Sequence, residues 1–369
     1  MVLNATVDPV ILKRFEIGEK IGEGSYGIVW KATDKKTKEQ IALKKQVDAF
    51  RNRKDAQRTM REILTLRKLY GTSKNIVGLQ EVLKGSDARD IYLVMDCMQA
   101  DLSNMPEQGQ LKEQEQARIM FQILAGLHCM HSHECLHRDI KPSNILCNNR
   151  GEIVKLGDLG LARTIESLEA EAENEDPEDI RNSTGSLWYM APEALLGSHV
   201  VSKPSDVWAV GCVMGELLGS QPLFRGGSKS EVLARITQFV GRPDQDYIKE
   251  LEDNGNLPAA LVIERLPPTQ AVDWAKCFPG CSPEATSLLR RLLEFHPNRR
   301  ITALEALADP WFRTHAAGGA EGGAAAAAQP LKLPLDGTEL HSVEEYQQAV
   351  WSEIETHYQQ GRAGCCAVS

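Results

Sequence analysis

No stretch of the 369 residues approaches about 18 uninterrupted apolar positions, the length a membrane-spanning helix requires. The opening MVLNATVDPV lacks the basic region followed by an apolar one that marks a secretory leader. The expected location is therefore cytoplasmic or nuclear. Positive charge is in deficit, with 42 Lys and Arg against 51 Asp and Glu and a net charge of −9. A general nucleic-acid surface needs clustered cations, so no nucleic-acid partner is expected, and basic or neutral partners suit the chain better. Paired metal-ligand spacing is missing as well. Cys97, Cys129, Cys135, Cys147, Cys212, Cys277 and Cys281 are spread through the body of the chain, mostly in apolar runs, and read as reduced thiols. What remains is ordinary globular composition, 42% hydrophobic and 25% charged, in a chain long enough for about two domains.

From Phe15 to Lys45 the chain alternates short β-prone runs with turns: FEIGEKIG, GIVWKAT, QIALKK. This predicts an antiparallel sheet. From Glu113 onward the texture is helical, with Ile119, Ile123 and Leu127 at four-residue spacing in a helix expected to end near MHSHE. A strand-rich part joined to a larger helical one predicts an α+β, bilobal arrangement with the joint near MDCMQADL. The acidic run ESLEAEAENEDPEDI is expected to stay solvated, and HAAGGAEGGAAAAAQP reads as a linker. Past it, Val343, Tyr346, Val350, Trp351 and Ile354 share one helical face, and Ser342 with Glu345 forms a capping box. That helix is expected to dock back on the body. The resulting division is an N-terminal segment (1–14), a β-rich lobe with hinge (15–98), a helical lobe (99–314), a linker (315–330), a docked extension (331–356) and a flexible tail (357–369).

IGEGSYGIV places Gly22, Gly24 and Gly27 in a G-x-G-x-x-G-x-V pattern, where absent Cβ atoms let backbone N–H groups approach phosphates. A glycine-rich hairpin with no ligand is the alternative for this motif alone. A dinucleotide fold would need a helix directly after the glycines, and IVWKAT reads as strand. Lys44 in IALKK sits on the next strand, and the amphipathic AQRTMREILTLRKL can present Glu62 to pair with it. LHRDIKPSNIL carries the catalytic-loop pattern H-R-D-x-x-x-x-N through His137, Arg138, Asp139, Lys141 and Asn144. In that pattern Asp139 accepts or orients the proton of a substrate hydroxyl, Lys141 steadies the transferring phosphate and Asn144 binds Mg2+. KLGDLGLAR offers Asp158 as a second Mg2+ ligand, with Leu159 in place of the usual Phe. Glu193 of WYMAPE and Arg300 of NRRITALEAL are expected to form a buried ion pair, and Asp206 to bond the catalytic-loop backbone.

With these motifs in order, the chain resembles a eukaryotic protein kinase from about Phe15 to Trp311, of the serine/threonine type by Lys141 and Pro142. KKQVDAFRNRKDAQRTMREI, the segment between Gly241 and Ser282, and PLDGTELHSVEEYQQAVWSEI are similar to mitogen-activated protein kinases, most of all to the atypical branch of the extracellular signal-regulated kinases. The resemblance implies ATP with Mg2+ and protein Ser or Thr substrates. It puts Ile21, Val29, Ala42 and Leu146 around the adenine, Met95 at the gatekeeper position, Asp96 to Met98 in the hinge and Asp101 at the ribose. Asp336 and Glu339 fall where the family docks basic peptides, two solvated carboxylates being the plain alternative. A monomer is expected. A pseudokinase or scaffold that binds nucleotide and partners without transfer is the rival reading.

Departures from the family pattern carry expectations of their own. Arg181, Asn182 and Ser183 stand where the family has Thr-x-Tyr, so dual phosphorylation is unavailable there, and Ser183 or Thr184 is left as a modification candidate. Ser186 aligns with a structural hydroxyl. Met190 replaces the arginine of WYRAPE that is linked to a preference for proline after the target residue. The end GCCAVS has the C-a-a-X form at Cys366, with Ser last, which favours farnesylation. One prenyl chain binds membranes marginally, so Cys365 is the candidate for a second lipid. Membrane association through this pair is the expectation, against two exposed thiols with no role. From Ile354 to Cys366 the extended chain would reach at most ~40 Å.

Overall fold

The computed structural model describes residues 6–24, 27–87, 89–105, 111–165, 187–197, 202–315, 340 and 342–365. The chain divides into two compact units, one of residues 1–100, 157–162 and 332–369, the other of 101–156 and 163–331. The class is α+β, as expected. The turn at 157–162 and the C-terminal helix both group with the β-rich unit.

The β-rich unit opens with α1 (Pro9–Arg14) and an antiparallel sheet of β1 (Phe15–Gly24), β2 (Gly27–Asp34), β3 (Gln40–Gln46), β4 (Leu79–Lys84) and β5 (Ile91–Asp96), in the order β1-β2-β3-β5-β4. Period-two alternation divides β3 between two faces. Ile41 and Leu43 join Ile11, Phe15, Ala32, Tyr92 and Val94 in one core cluster, and Ala42, Lys44 and Gln46 lie on the opposite face. Helix α2 (Arg53–Leu69) starts where Asn52, in extended conformation, accepts from the Asp55 N–H at 2.9 Å. It buries Met60, Glu62, Ile63, Leu64 and Leu66.

The C-terminal helix (Val343–Cys365) packs on α2. Its predicted capping box is present: the Ser342 N–H donates to Glu345 at 3.2 Å and the Glu345 N–H to Ser342 Oγ at 3.1 Å. Tyr346 and Val350 are buried, Trp351 meets the Phe50 ring edge-on at 5.4 Å, and Lys84 Nζ lies 4.3 Å from the Trp351 ring centroid. The Arg53 guanidinium donates to the Leu340 carbonyl at 3.1 Å. The helix runs past residue 356, where the docked extension was expected to end, so 357–365 are helical rather than the start of a flexible tail. At about 1.5 Å per residue, a helix from Ile354 to Cys365 spans roughly 16 Å, well short of the extended reach.

The helical unit contains α3 (Glu113–Ser132), the short strands β6 (Cys135–Leu136), β7 (Ile145–Asn148), β8 (Ile153–Leu156) and β9 (Arg163–Thr164), then α4 (Pro192–Leu195), α5 (Lys203–Gly219), α6 (Lys229–Val240), α7 (Gln245–Asp253), α8 (Leu257–Arg265), α9 (Trp274–Cys277), α10 (Pro283–Leu292), α11 (Ala303–Leu307) and α12 (Pro310–His315). Helix α3 ends at Ser132, as the four-residue spacing predicts, with Ile119, Ile123 and Leu127 fully buried. The apolar α5 is buried along most of its length, Trp208 stacking on Phe224 at 5.7 Å. No described helix is long and apolar enough to cross a membrane. The acidic run, the Ala/Gly linker past His315, Arg181 to Ser183, Thr184, Ser186, Asp336, Glu339 and Cys366 lie outside the described residues, and His315, where the linker was expected to begin, ends α12.

Candidate active site

In the β-rich unit, register brings the nucleotide candidates onto one sheet face. Val29 pairs with Lys44 across β2 and β3, and Ala42 pairs with Met95 across β3 and β5, so Val29, Ala42, Lys44 and Met95 project together. Gly22 pairs with Val29 and Gly24 with Gly27, while Ile21 stands exposed on β1. The three glycines are not equivalent. A Cβ on Gly27 would lie 2.0 Å from the Lys45 carbonyl oxygen, whereas one on Gly24 would meet nothing within 4 Å. Packing of β2 on β3 thus requires glycine at 27, and Gly24 is left for the backbone approach that the motif suggests. The Asp96 carboxylate accepts from the Gly78 N–H at 2.8 Å, so its side chain serves the sheet. Among the hinge residues, Cys97 is half-buried and Met98 is buried.

Lys44 Nζ donates to Glu62 Oε1 at 2.6 Å and lies 3.6 Å from Asp158 Oδ1. Burial works against the ammonium charge, but the Glu62 and Asp158 carboxylates outweigh it and hold Lys44 above its ordinary value. Glu62 has a second partner that motif reading passed over: Gln46 Nε2 donates to Glu62 Oε2 at 2.7 Å. The alternation that exposes Lys44 to this face also delivers Gln46, two residues on, and that spacing was a readable signal. Asp158 precedes a 3-10 turn, Leu159–Leu161, in left-handed backbone conformation (φ 53°, ψ 69°), a region where Asp is tolerated better than most residues. Its side chain is 43% exposed. Leu159 is fully buried, the packing role expected of the residue at the usual Phe position.

In the helical unit, Asp139, Lys141 and Asn144 converge. Lys141 Nζ donates to Asp139 Oδ2 at 2.7 Å, and Asn144 Nδ2 donates to the same oxygen at 2.9 Å and to the Asp139 carbonyl at 2.8 Å. Both Asp139 and Asn144 are 7% exposed. The loop holding them is fastened by Asp206, whose carboxylate accepts from the His137 N–H at 2.9 Å and the Arg138 N–H at 2.8 Å, as expected, and from His131 Nε2 at 3.0 Å, which was not. Burial disfavours charge on Asp206, yet the hydrogen bond from His131, with the His137 backbone N–H, keeps it below the ordinary carboxylate value. Arg138 is held at φ 69° in this loop. Leu146 is half-buried on β7 opposite Lys155. Asp101 accepts from the Asn104 N–H at 3.0 Å and from Ser103 Oγ, capping the turn that follows it.

The expected Glu193–Arg300 pair is bidentate, at 2.9 and 3.0 Å, with the Arg300 side chain fully buried. Asn144 donates through Nδ2 and so offers an amide oxygen as a cation ligand, and Asp158 offers carboxylate oxygens. Such hard donors suit Mg2+, which is commonly held by one or two carboxylates together with substrate phosphates. Among the described residues no group of three or more His, Cys, Asp and Glu is arranged to hold a metal ion.

A glycine hairpin, a lysine paired to a helical glutamate, an Asp-Lys-Asn loop and a following acidic turn belong together in one family, and the protein kinase domain matches residues 15–312. The chain belongs to the protein kinase family, with the ATP and divalent-metal use that membership carries. Within it, the chain is similar to extracellular signal-regulated kinase 2 of Dictyostelium discoideum, 41% identical over 353 residues that cover 94% of this chain and 92% of that one. Mitogen-activated protein kinase 15 of Xenopus laevis is 38% identical over 350 residues, covering 94% of this chain and 58% of the relative. The same-named kinase of Mus musculus is 40% identical over 310 residues, covering 83% and 55%. The chain thus spans little more than half the length of these last two. It is a serine/threonine protein kinase of the mitogen-activated type.

Proposed function

We propose that the chain transfers the γ-phosphate of ATP to Ser and Thr hydroxyls of protein substrates, with Mg2+ as the working cation. The observation that carries this reading is the Asp139 carboxylate, with Lys141 Nζ at 2.7 Å and Asn144 Nδ2 at 2.9 Å on one oxygen. Asp139 orients the substrate hydroxyl and accepts its proton. Lys141, already beside Asp139, steadies the transferring phosphoryl group. Lys44, fixed by Glu62 and Gln46, binds the α- and β-phosphates, and the backbone at Gly22 and Gly24 covers them. Ile21, Val29, Ala42 and Met95 are the adenine residues of the β-rich unit and the hinge from Asp96 to Met98 offers backbone bonds, while the family pattern assigns Leu146 to the adenine and Asp101 to the ribose. Asp158 and Asn144 would hold Mg2+, which when bound neutralises charge on the phosphate oxygens. Asp158→Asn should abolish transfer from labelled ATP to a basic protein substrate across a Mg2+ titration; a wild-type Mg2+ dependence would overturn the assignment.

Substrate choice departs from proline direction in this reading, because Met190, half-exposed between Tyr189 and the Ala191-Pro192-Glu193 turn, supplies no guanidinium at that point. A degenerate peptide library should show no selection for proline after the target residue, and strong selection there would refute the role given to Met190. Basic peptides docking at Asp336 and Glu339 are the proposed partners, with the monomer as the working state. A cytoplasmic or nuclear kinase tethered to membranes through lipid at Cys366 and Cys365 completes the proposal. Cys366→Ser should move it to the soluble fraction, and an unchanged distribution would refute the tether.

A further inference from the structure

Helix α2 touches the metal-binding turn at a point that the reading above leaves unused. A Cβ built on Gly160 would lie 3.0 Å from both Nε and Nη2 of Arg58 and 3.4 Å from its Cζ, so the guanidinium turns its Nε–Nη2 edge to the space that a side chain at Gly160 would fill. Arg58 stands four residues before Glu62, one helical turn away on the same face of α2. The helix that sets Lys44 through Glu62 therefore also covers the turn that follows Asp158. Asp158 is held in left-handed backbone, and the Ala162 N–H donates to the Leu159 carbonyl at 3.0 Å to close the turn.

We propose that Arg58 is a positioning residue: its guanidinium, packed on Gly160, holds the Leu159–Leu161 turn so that the Asp158 carboxylate stays beside Lys44, 3.6 Å from Nζ. Glycine stands at 160 because any side chain would displace that guanidinium. The position of α2 is thereby read twice, by Lys44 through Glu62 and by Asp158 through Arg58. The metal-binding part of this proposal rests on the assignment of Asp158 above, whereas the contact with the turn does not.

The test compares Arg58→Ala, Gly160→Ala and the double variant. Gly160 has no left-handed φ, so alanine brings only its methyl group. The displaced atoms are the far end of a flexible side chain, so a passive Arg58 would step aside at little cost. Each single variant should raise the Mg2+ concentration for half-maximal transfer about tenfold, the lower end of what losing a group that orients a metal ligand costs. In the nucleotide-free protein, amide exchange at Ala162 should quicken by about the same factor. The double variant should be no worse than either single, since both remove one contact. Wild-type Mg2+ dependence in Arg58→Ala, additive losses in the double, or unchanged Ala162 exchange would each overturn the proposal. If Asp158→Asn kept wild-type Mg2+ dependence, the metal assignment would fail, and the Ala162 exchange rates alone would decide whether Arg58 holds the turn.

Discussion

The Glu193–Arg300 pair makes a quantitative prediction about stability. The Arg300 guanidinium donates to both Glu193 oxygens and to the carbonyls of Pro204, Phe295 and Glu294 at 2.7, 3.2 and 2.8 Å. Ser205 Oγ adds a bond to Glu193 at 2.9 Å, and the Trp208 ring lies 5.1 Å from the guanidinium. Solvent cannot reach Arg300, so Glu193→Leu leaves a buried cation with carbonyls alone, and Arg300→Met leaves a buried carboxylate with one hydroxyl. Either single change should cost about 3–5 kcal/mol, the usual penalty for an uncompensated buried charge. That is a large share of the roughly 5–15 kcal/mol by which domains are stable. The double variant removes both charges and leaves the three carbonyls without their donor, at about 1 kcal/mol each. It should therefore cost about as much as one single rather than the sum of two. Equilibrium urea unfolding followed by tryptophan fluorescence reads the difference, Trp208 being in contact with the pair. Singles that cost less than about 1 kcal/mol, or that add in the double, would refute the reasoning.

The glycine loop separates packing from chemistry: Gly27→Ala should lower the melting temperature by forcing β2 off the Lys45 carbonyl, at a cost of about 2–3 kcal/mol, while Gly24→Ala should leave it unchanged and alter only the KM for ATP. Trp351→Ala removes the Phe50 ring contact and the Lys84 cation, and should destabilise the β-rich unit by about 1–3 kcal/mol in a thermal melt. Asp206 has a folded pKa below its unfolded value, so its contribution is present above the unfolded value near 3.8 and is lost as pH falls through the folded one. Asp206→Asn should accordingly lower stability at neutral pH and flatten its decline in acid, as read by urea midpoints against pH; an unchanged acid slope would contradict the assignment.

The legible parts of this site are those whose spacing is local. Asp139, Lys141 and Asn144 lie within six positions of one another, and their convergence follows from the loop that carries them. Lys44 with Glu62 was readable because a strand and an amphipathic helix each present a single face. What stayed hidden are tertiary pairings between elements of opposite period or distant sequence. His131 on α3 reaches Asp206 on α5 across 75 positions, and nothing local to either residue announces the other. Gln46 was hidden by attention to the motif lysine although it shares that residue's strand face. The grouping of 157–162 with the β-rich unit reflects packing of α2 on the turn, which chain order disguises. At Gly27 the structure adds a reason that the motif does not announce, the Lys45 carbonyl that a Cβ there would strike.

The central claim is that Asp139 carries phosphoryl transfer to Ser or Thr in protein. Single-turnover transfer from ATP to a basic protein substrate, measured for the wild type and Asp139→Asn at saturating ATP and Mg2+, tests it directly. Loss of the base that accepts the hydroxyl proton should slow transfer by about 10²- to 10⁴-fold, with ATP binding unchanged because Lys44, Asp158 and the glycine loop are intact. Equal transfer rates for the two proteins would contradict the account.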